Sequence, residues 1–325
     1  MTGREPGAGS RAPKHFLAIL GPTASGKSAL GLALAERLGG EIINCDSTAV
    51  YRGLDIGTDK VAPADRRGIP HHLIDIADPT DTYTAARYAA DAARAVRDIH
   101  ARGRLPIVVG GTGFYYRALT RGLFPGPARD TSIRDRLHAV AERRGPERLH
   151  RWLGRVDPAS AQRIQPRDAK RMVRALEVYL LTGQPLTSHF DATERPLPEF
   201  EPAAIALAPD RAVIAERVAR RVDDQFSRGI VAEIQGLLAA GVPRGAHAFS
   251  GLVYRQVLEM LDGVRDEPAT RALIVQENLR YARRQLIWFR KEPNLTWIPA
   301  AGERDDTLQT ALNAMSDIAA RAGRP

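Results

Sequence analysis

The sequence predicts an α/β protein with a doubly wound parallel sheet and a helical insertion domain. Short apolar segments alternate with helical segments in residues 15–121, the order that builds a parallel sheet with helices on both faces. In residues 122–200 the chain becomes largely helical and rich in arginine, and strand-like segments are absent until its end. We therefore expect a core domain in residues 15–121 and 201–325, a helical insertion in 122–200, and a disordered tail in 1–14.

The first strand and the first helix enclose a phosphate-binding motif. Apolar residues 16–20 precede the sequence GPTASGKS at residues 21–28, which fits G-x-x-x-x-G-K-[ST], and a helical pattern follows. This context is typical of a P-loop, whose backbone N–H groups bind phosphate oxygens, and it predicts a P-loop NTPase-like fold. The motif alone indicates ATP binding, with Lys27 as a point charge and Ser28 as a ligand of Mg²⁺. The predicted phosphate-binding residues are Gly21, Pro22, Thr23, Ala24, Ser25, Gly26, Lys27 and Ser28.

The next two strands end in residues that suit a ligand site. A second strand is predicted in 41–47 and a third in 105–111, with a helix between them in 84–103. Asp46 ends the second strand, at the sheet edge where ligands bind, so it is a candidate general base or Mg²⁺ ligand; a local backbone cap is the equal alternative. The third strand runs into glycines and Thr112 without an acid, which favours close approach of a bulky substrate over nucleotide hydrolysis.

The C-terminal half is predicted to contain one more strand, in residues 203–209, and then long helices to the end of the chain. Arginines recur at helical spacing on three of the predicted helices, at Arg171 and Arg174, at Arg217 and Arg221, and at Arg280 and Arg284. Each face alone is typical of a solvated or salt-bridged helix, whereas three of them in a chain of net charge +9 favour a polyanionic partner. An arginine-rich composition accounts for the charge equally well, so charge alone leaves nucleic-acid binding open.

The remaining composition excludes several kinds of site. The chain has one cysteine, Cys45, so neither a disulfide nor a cysteine-based zinc site forms within it. His71 and His72 are adjacent and would point apart in a strand, so we expect a structural or substrate-orienting role and no metal site. No apolar segment is long enough to span a membrane, and no signal peptide is evident, so a cytoplasmic protein is expected.

Six segments, in this order along the chain, resemble the tRNA dimethylallyltransferases, also called tRNA isopentenyltransferases. They are GPTASGKS at 21–28, DSTAVYRGLDIGTDK at 46–60, PHHLIDI at 70–76, VGGTGFYYRAL at 109–119, DAKRMVRALEVY at 168–179 and ARRQLIWFRK at 282–291. The resemblance implies transfer of a dimethylallyl group from dimethylallyl diphosphate to N6 of the adenosine on the 3′ side of the anticodon, in tRNAs that read codons beginning with U. It also implies that diphosphate leaves with the help of Mg²⁺, and that the enzyme is a cytoplasmic monomer that binds the tRNA anticodon stem-loop.

The resemblance assigns roles to individual residues. Asp46 matches the acid that hydrogen-bonds N6 and acts as general base, Thr23 matches a hydroxyl near the leaving oxygen, and Arg221 matches an arginine that contacts diphosphate. The implied tRNA-contacting residues are Asp46, Ser47, Thr48, Ala49, Thr112, Arg134, Lys170, Arg171, Met172, Val173, Arg174, Ser250, Gly251, Leu252, Val253, Tyr254 and Arg255. Ala49 replaces a frequent Gln, and Val253 replaces a usual Gly, which puts one base contact and one loop geometry in question.

Three other functions remain open from the sequence. They are a small-molecule P-loop kinase, a prenyltransferase that acts on free adenine nucleotides, and a non-catalytic RNA-binding ATPase. The kinase leaves the arginine-rich C-terminal half without a purpose, and the ATPase lacks the expected acid after the third strand. Competition between AMP and tRNA would separate the nucleotide prenyltransferase from the tRNA enzyme.

Overall fold

The computed structural model describes residues 14–322 of the chain, with side chains described to residue 315. The predicted disordered tail therefore lies outside the described residues, except for Lys14, which is the first residue of a strand. The chain divides into two compact units, one formed by residues up to 120 and from 196 onwards, and one formed by residues 121–195. Phe200, expected as the last residue of the insertion, begins a strand of the larger unit.

The larger unit is built on one sheet of six parallel strands. The strands are β1 (Lys14–Leu20), β2 (Gly40–Asn44), β3 (His71–His72), β4 (Leu105–Gly110), β5 (Phe200–Leu207) and β6 (Leu295–Ile298), in the order β3-β2-β4-β1-β5-β6. The predicted α/β fold with a parallel sheet is confirmed. Because β1, β2 and β4 are neighbours and parallel, their C-terminal ends meet at one edge, where ligands bind in such sheets.

The side chains of β1, one of the two middle strands, are buried on both faces of the sheet. Phe16, Ala18 and Leu20 pack into the apolar core on one face, and Leu17 and Ile19 pack into the core on the other. Successive side chains of a strand point to opposite faces, so a continuous apolar run is what a strand covered on both faces requires.

Helices cover both faces of this sheet. They are α1 (Lys27–Leu38), α2 (Ala85–Ala101), α3 (Gly113–Arg121), α8 (Arg211–Ser227), α9 (Ile230–Ala239), α10 (Leu252–Leu261), α11 (Glu267–Phe289) and α12 (Asp305–Ala322). The expectation of helices alone after residue 209 was wrong, because Leu295–Ile298 pairs with β5 as the edge strand β6. A helix that is long and apolar enough to cross a membrane does not occur in the described range 14–322.

The smaller unit is helical, and its core contains a buried acid. It comprises α4 (Thr131–Arg144), α5 (Pro146–Val156), α6 (Pro158–Arg163) and α7 (Ala169–Thr182). The carboxylate of Glu177 has no exposed surface and accepts hydrogen bonds from Arg134 Nε at 2.8 Å, Arg174 Nη1 at 2.7 Å and the Asp130 backbone N–H at 2.8 Å. Burial alone would raise the pKa of Glu177, but the arginine hydrogen bonds outweigh it and hold the pKa at about 2.

Replacing Glu177 by glutamine is expected to destabilise the protein at neutral pH. Removing one partner of a buried ion pair leaves the arginines uncompensated and costs about 3 kcal/mol. Because the folded-state pKa lies below the ordinary value of 4.5, the carboxylate stabilises the fold above that value, and this stabilisation is lost as pH falls towards 2. Urea unfolding at neutral pH and at about pH 3 should therefore show a smaller acid-induced loss for Glu177→Gln than for wild type. Glu142→Gln, on the exposed side of α4, is the matched control; equal stability of both variants would contradict this assignment.

Candidate active site

The predicted phosphate loop connects the end of β1 to the start of α1 in the expected geometry. Gly21, Ala24 and Gly26 have positive φ values of 149°, 60° and 83°. Gly26 directly precedes α1, and no side chain caps the helix N-terminus. The first N–H groups of a helix have no partner within it, so this end of α1 can receive an anion.

Lys27 is a partly buried residue of this loop. Its Nζ donates a hydrogen bond of 2.6 Å to the carbonyl oxygen of Pro22. Burial lowers the pKa of Lys27 to about 8, and the charge of Arg221 lowers it further, against opposing effects of nearby acids that include Asp46. A phosphate bound here would offset that burial, because an adjacent negative charge favours the ammonium form.

Thr23 is held from two sides. Its backbone N–H donates to Gln285 Oε1 at 2.9 Å, and its hydroxyl accepts a hydrogen bond of 2.9 Å from Arg221 Nη1. Arg221 also pairs with Asp59 through Nη2 at 2.9 Å. The structure thus brings together Thr23 and Arg221, which are far apart in sequence, and fixes the arginine between a hydroxyl and a carboxylate.

Asp46 uses one carboxylate oxygen for local structure. Oδ1 accepts hydrogen bonds from the Thr48 backbone N–H at 2.8 Å and from the Thr48 hydroxyl at 2.7 Å. Asp46 lines the same cavity as the phosphate loop. Asp46 can therefore cap the local backbone and also act as a general base, because the cap uses Oδ1 and leaves Oδ2 as a further acceptor.

Thr112 and Tyr281 lie beside Asp46. The Thr112 hydroxyl accepts from the Ser47 backbone N–H at 3.1 Å and hydrogen-bonds the Tyr281 hydroxyl. Burial raises the pKa of Tyr281, and the negative charge of Asp46 raises it further, so the phenol stays protonated. This chain of contacts holds the turn that carries Asp46 against the end of β4.

The glycines at the end of β4 are in close contact with other parts of the protein. A Cβ on Gly110 would collide with the Cys45 backbone, one on Gly111 with the Gln285 side chain, and one on Gly113 with the Trp288 ring. They permit close packing of the protein on itself, although Gly110 and Gly111 also line the cavity. Cys45 is fully buried, and burial raises the pKa of its thiol to about 12, so it is not an activated thiolate.

One cavity of about 880 Å³ is lined by Thr23, Lys27 and Asp46 together. All its lining residues belong to the larger unit. Near the loop the cavity is lined by Lys27 and by Arg217, Arg220 and Arg221 of α8, and also by the acids Asp59 and Glu303. Asp46 and Tyr281 lie on the wall formed by the strand ends and α11. A single space therefore contains an anion-binding loop and a carboxylate.

Ser28 is the predicted Mg²⁺ ligand, and the donor set around it suits that ion. The residue lies in the first turn of α1 and lines the cavity together with Asp46. Within residues 14–322, no group of three or more His, Cys, Asp or Glu side chains could hold a metal ion. Mg²⁺ commonly takes only one or two protein oxygens and completes its coordination with waters and substrate phosphates, so a hydroxyl next to an anion site fits.

His71 and His72 each contact another group of the protein. His72 Nε2 lies 2.7 Å from Glu41 Oε2, and His71 Nδ1 lies 2.9 Å from the carbonyl oxygen of Ile69. Burial lowers the pKa of His71, which lines the cavity as a predominantly neutral group. His71 can therefore orient a ligand by hydrogen bonding.

The predicted RNA contacts in the helical unit need correction at three positions. The side chains of Met172 and Val173 are buried in the core of this unit, so they cannot touch RNA. Arg174 is directed to Glu177 and to the carbonyl oxygen of Pro127, at 3.0 Å, and does not share an open face with Arg171. Arg134 is held by Glu177, and Lys170 and Arg171 are the exposed members of the set.

The segment 250–255 shows the same division. Val253 and Tyr254 are buried, and the Tyr254 hydroxyl donates to Glu233 Oε1 at 2.7 Å, whereas Ser250 and Arg255 are exposed. Val253 is the second residue of α10 and has no positive φ, so the backbone accommodates valine where the family usually has glycine. Ala49 is buried, and Thr48, Gly251 and Leu252 are partly exposed.

Several residues of the site were not assigned a role from the sequence. Gln285 bridges Thr23 to the Gly111 carbonyl oxygen, the latter at 2.8 Å, and Asp59 fixes Arg221. Both residues lie inside segments that resemble the family, at 282–291 and 46–60. That was the only sequence signal for their roles, because their contacts join residues far apart in the chain. Glu303 borders the phosphate loop and lies outside every motif.

Comparison with known proteins identifies one family. Residues 49–292 match the family described as IPP transferase. A tRNA dimethylallyltransferase of Koribacter versatilis is 46% identical over 285 residues, covering 88% of this chain and 92% of the relative. Another of Geobacter metallireducens is 45% identical over 298 residues, covering 92% and 96%.

Solved structures agree with this match. The full-length tRNA isopentenylpyrophosphate transferase of Bacillus halodurans has a TM-score of 0.69 and 35% identity, over 95% of this chain and 97% of that chain. A eukaryotic dimethylallyltransferase, described acting on tRNA, has a TM-score of 0.76 and 27% identity, over 96% of this chain and 80% of that chain.

Proposed function

This chain belongs to the IPP transferase family of tRNA dimethylallyltransferases, and we propose that it transfers a dimethylallyl group from dimethylallyl diphosphate to adenosine N6 in tRNA. The proposed target is the adenosine on the 3′ side of the anticodon in tRNAs that read codons beginning with U. The observation that carries the proposal is the single cavity that contains both the phosphate loop and Asp46.

The donor half of the reaction requires stabilisation of leaving diphosphate. We assign this to the N-terminus of α1, to Lys27 and to Arg221, because each places a positive group on the loop side of the cavity. Thr23, held by Arg221, is next to the same position and can donate its hydroxyl to the departing oxygen. Mg²⁺, when bound at Ser28, would neutralise charge on the diphosphate.

The acceptor half requires a base and an aligned amine. N6 forms a bond to the allylic carbon as the bond from carbon to diphosphate oxygen breaks, and one N6 proton is lost. We assign that proton to Asp46, because its Oδ1 is anchored by Thr48 and its carboxylate faces the cavity. The adenosine has to leave its stack to reach this position, as in other enzymes that act on bases.

We propose that the enzyme is a monomer, and its tRNA substrate supports a cytoplasmic location. The phosphate loop would also fit the phosphates of ATP, and we propose the diphosphate of the donor as its ligand because the relatives of this chain are dimethylallyltransferases. Inorganic diphosphate should therefore compete with the donor more effectively than ATP does.

Replacing Arg171 by alanine is expected to weaken tRNA binding and to reduce its salt dependence. Arg171 is 63% exposed and is held only loosely, by Asp168 at 3.2 Å, so it is free to contact a phosphate. Losing one phosphate contact lowers the slope of log K against log salt by about one. Filter binding over a salt series would measure this slope. Arg143→Ala on α4, also exposed, is the matched control. Equal slopes for both variants would show that Arg171 is only solvated and contacts no phosphate.

The proposed function is tested by label transfer. The protein is incubated with Mg²⁺, labelled dimethylallyl diphosphate and either unmodified tRNA or AMP. We expect label in tRNA and little in AMP. Preferential labelling of AMP would establish a nucleotide prenyltransferase, and a folded protein that labels neither acceptor would contradict the proposal.

A further inference from the structure

The segment between β6 and α12 lies directly on the phosphate loop. The Gly302 backbone N–H donates a hydrogen bond of 2.9 Å to the carbonyl oxygen of Ser25. A Cβ on Gly302 would collide with the Gly26 backbone, and a Cβ on Gly26 would collide with the Gly302 backbone and the Glu303 carboxylate. The two segments therefore touch backbone to backbone, and this contact fixes the backbone next to Glu303.

Glu303 points a carboxylate at groups that an anionic substrate would also use. Its Oε2 lies 2.7 Å from Arg217 Nη1, and the carboxylate lies against Gly26, next to the N-terminus of α1. Arg217 is one helical turn before Arg221 on α8, and its Nη1 also reaches the Ala24 carbonyl oxygen at 3.5 Å. The Glu303 side chain is 46% exposed and lines the cavity, so it is able to move aside.

A carboxylate in this position opposes the binding of diphosphate. The N-terminus of a helix favours one negative group, and Glu303 already supplies it in the free enzyme. Diphosphate has to compete with Glu303 for Arg217 and is repelled by its charge at short range. The half-exposed position reduces this repulsion without abolishing it.

We propose that Glu303 is an internal counter-anion of the donor site, which occupies Arg217 in the free enzyme and releases it to the diphosphate. The inference rests on the proposed function, because it assumes that diphosphate binds to this loop. Its consequence is a weaker hold on product diphosphate, which has lost the alkyl group that helps to anchor the donor. Arg217 becomes a diphosphate ligand only when Glu303 has moved away.

Calorimetric titration with inorganic diphosphate and Mg²⁺ tests the inference without turnover. Glu303→Gln keeps the side-chain size and removes the charge, so the Kd of diphosphate is expected to fall about tenfold. Glu303→Asp keeps the charge and should retain the Kd of wild type within about threefold. Glu267→Gln, which removes an exposed acid paired with Arg271 on α11, is the matched control and should leave the Kd unchanged.

A double-mutant cycle identifies Arg217 as the group that is released. In the Arg217→Gln background, Glu303→Gln should improve the Kd much less than it does in wild type. An equal or weaker affinity of Glu303→Gln would overturn the inference while leaving the proposed function intact, as would a gain that persists without Arg217. If wild type itself fails to bind diphosphate, the proposed donor site and this inference are both contradicted. If Glu303→Gln does not fold, Arg217→Gln alone decides, and an unchanged Kd in that variant overturns the inference.

Discussion

Replacing Asp46 by asparagine is expected to lower turnover by at least ~10²-fold while leaving tRNA affinity nearly unchanged. The asparagine carbonyl oxygen can accept the same two hydrogen bonds from Thr48 that Oδ1 accepts, so the local turn should persist. The second oxygen is replaced by an NH₂ group, which donates and cannot accept the N6 proton. The defect should therefore be confined to the chemical step.

Single-turnover kinetics with saturating tRNA and donor would measure this defect, and filter binding would measure affinity. Asp78→Asn is a matched control, because Asp78 makes the same type of turn, with its Oδ1 accepting from the Thr80 N–H at 2.9 Å and hydroxyl at 2.6 Å. Asp78 lies outside the cavity lining, and its variant should react at the wild-type rate. A comparable rate for Asp46→Asn would show that Asp46 is not the base.

Replacing Arg221 by glutamine is expected to lower kcat/KM for dimethylallyl diphosphate by about 10²–10³-fold. The guanidinium spans Thr23 and Asp59, so its loss removes a positive charge at the leaving group and also frees the Thr23 hydroxyl. Arg221→Lys keeps the charge but cannot make both contacts at once, and should show an intermediate loss. Because the arginine acts on the donor, the KM for tRNA should hardly change.

Steady-state kinetics with each substrate varied in turn would separate these effects. Arg244→Gln is the control, since Arg244 pairs with Asp262 at 2.7 Å on the surface and the pair is half-exposed. A rise in the KM for tRNA with an unchanged donor kcat/KM would place Arg221 on the acceptor side and contradict the account.

The central sheet was predictable because its signals are local. The apolar run of β1, the phosphate-loop motif and the alternation of strands with helices each occupy a short window of sequence. The edge strand β6 was missed because it has four residues and an exposed Trp297, and because it pairs with β5, about ninety residues earlier. No local pattern distinguishes such a segment from a loop.

The limits of sequence reasoning at the site have the same origin. Lys27 and Asp46 were found because a loop motif and a strand end identify them, and Arg221 because a family pattern does. The fixed position of Thr23 depends on Gln285, 262 residues away, and the direction of Arg174 depends on a buried acid whose burial is not visible in sequence. Arg171 and Arg174, three residues apart on α7, were expected to share an exposed face. Arg174 turns instead towards Glu177, because a buried carboxylate requires a charged partner.

The central claim is that one cavity holds a diphosphate leaving group and the base that accepts a proton from an adenosine of tRNA. The most direct test digests tRNA to nucleosides after reaction with dimethylallyl diphosphate and locates the added mass by mass spectrometry. We predict a dimethylallyl group on N6 of the adenosine that follows the anticodon, and at least ~10²-fold slower appearance of this product when Asp46→Asn is used under the same conditions. Modification of another nucleoside, or unmodified tRNA after incubation with folded wild-type protein, would contradict the claim.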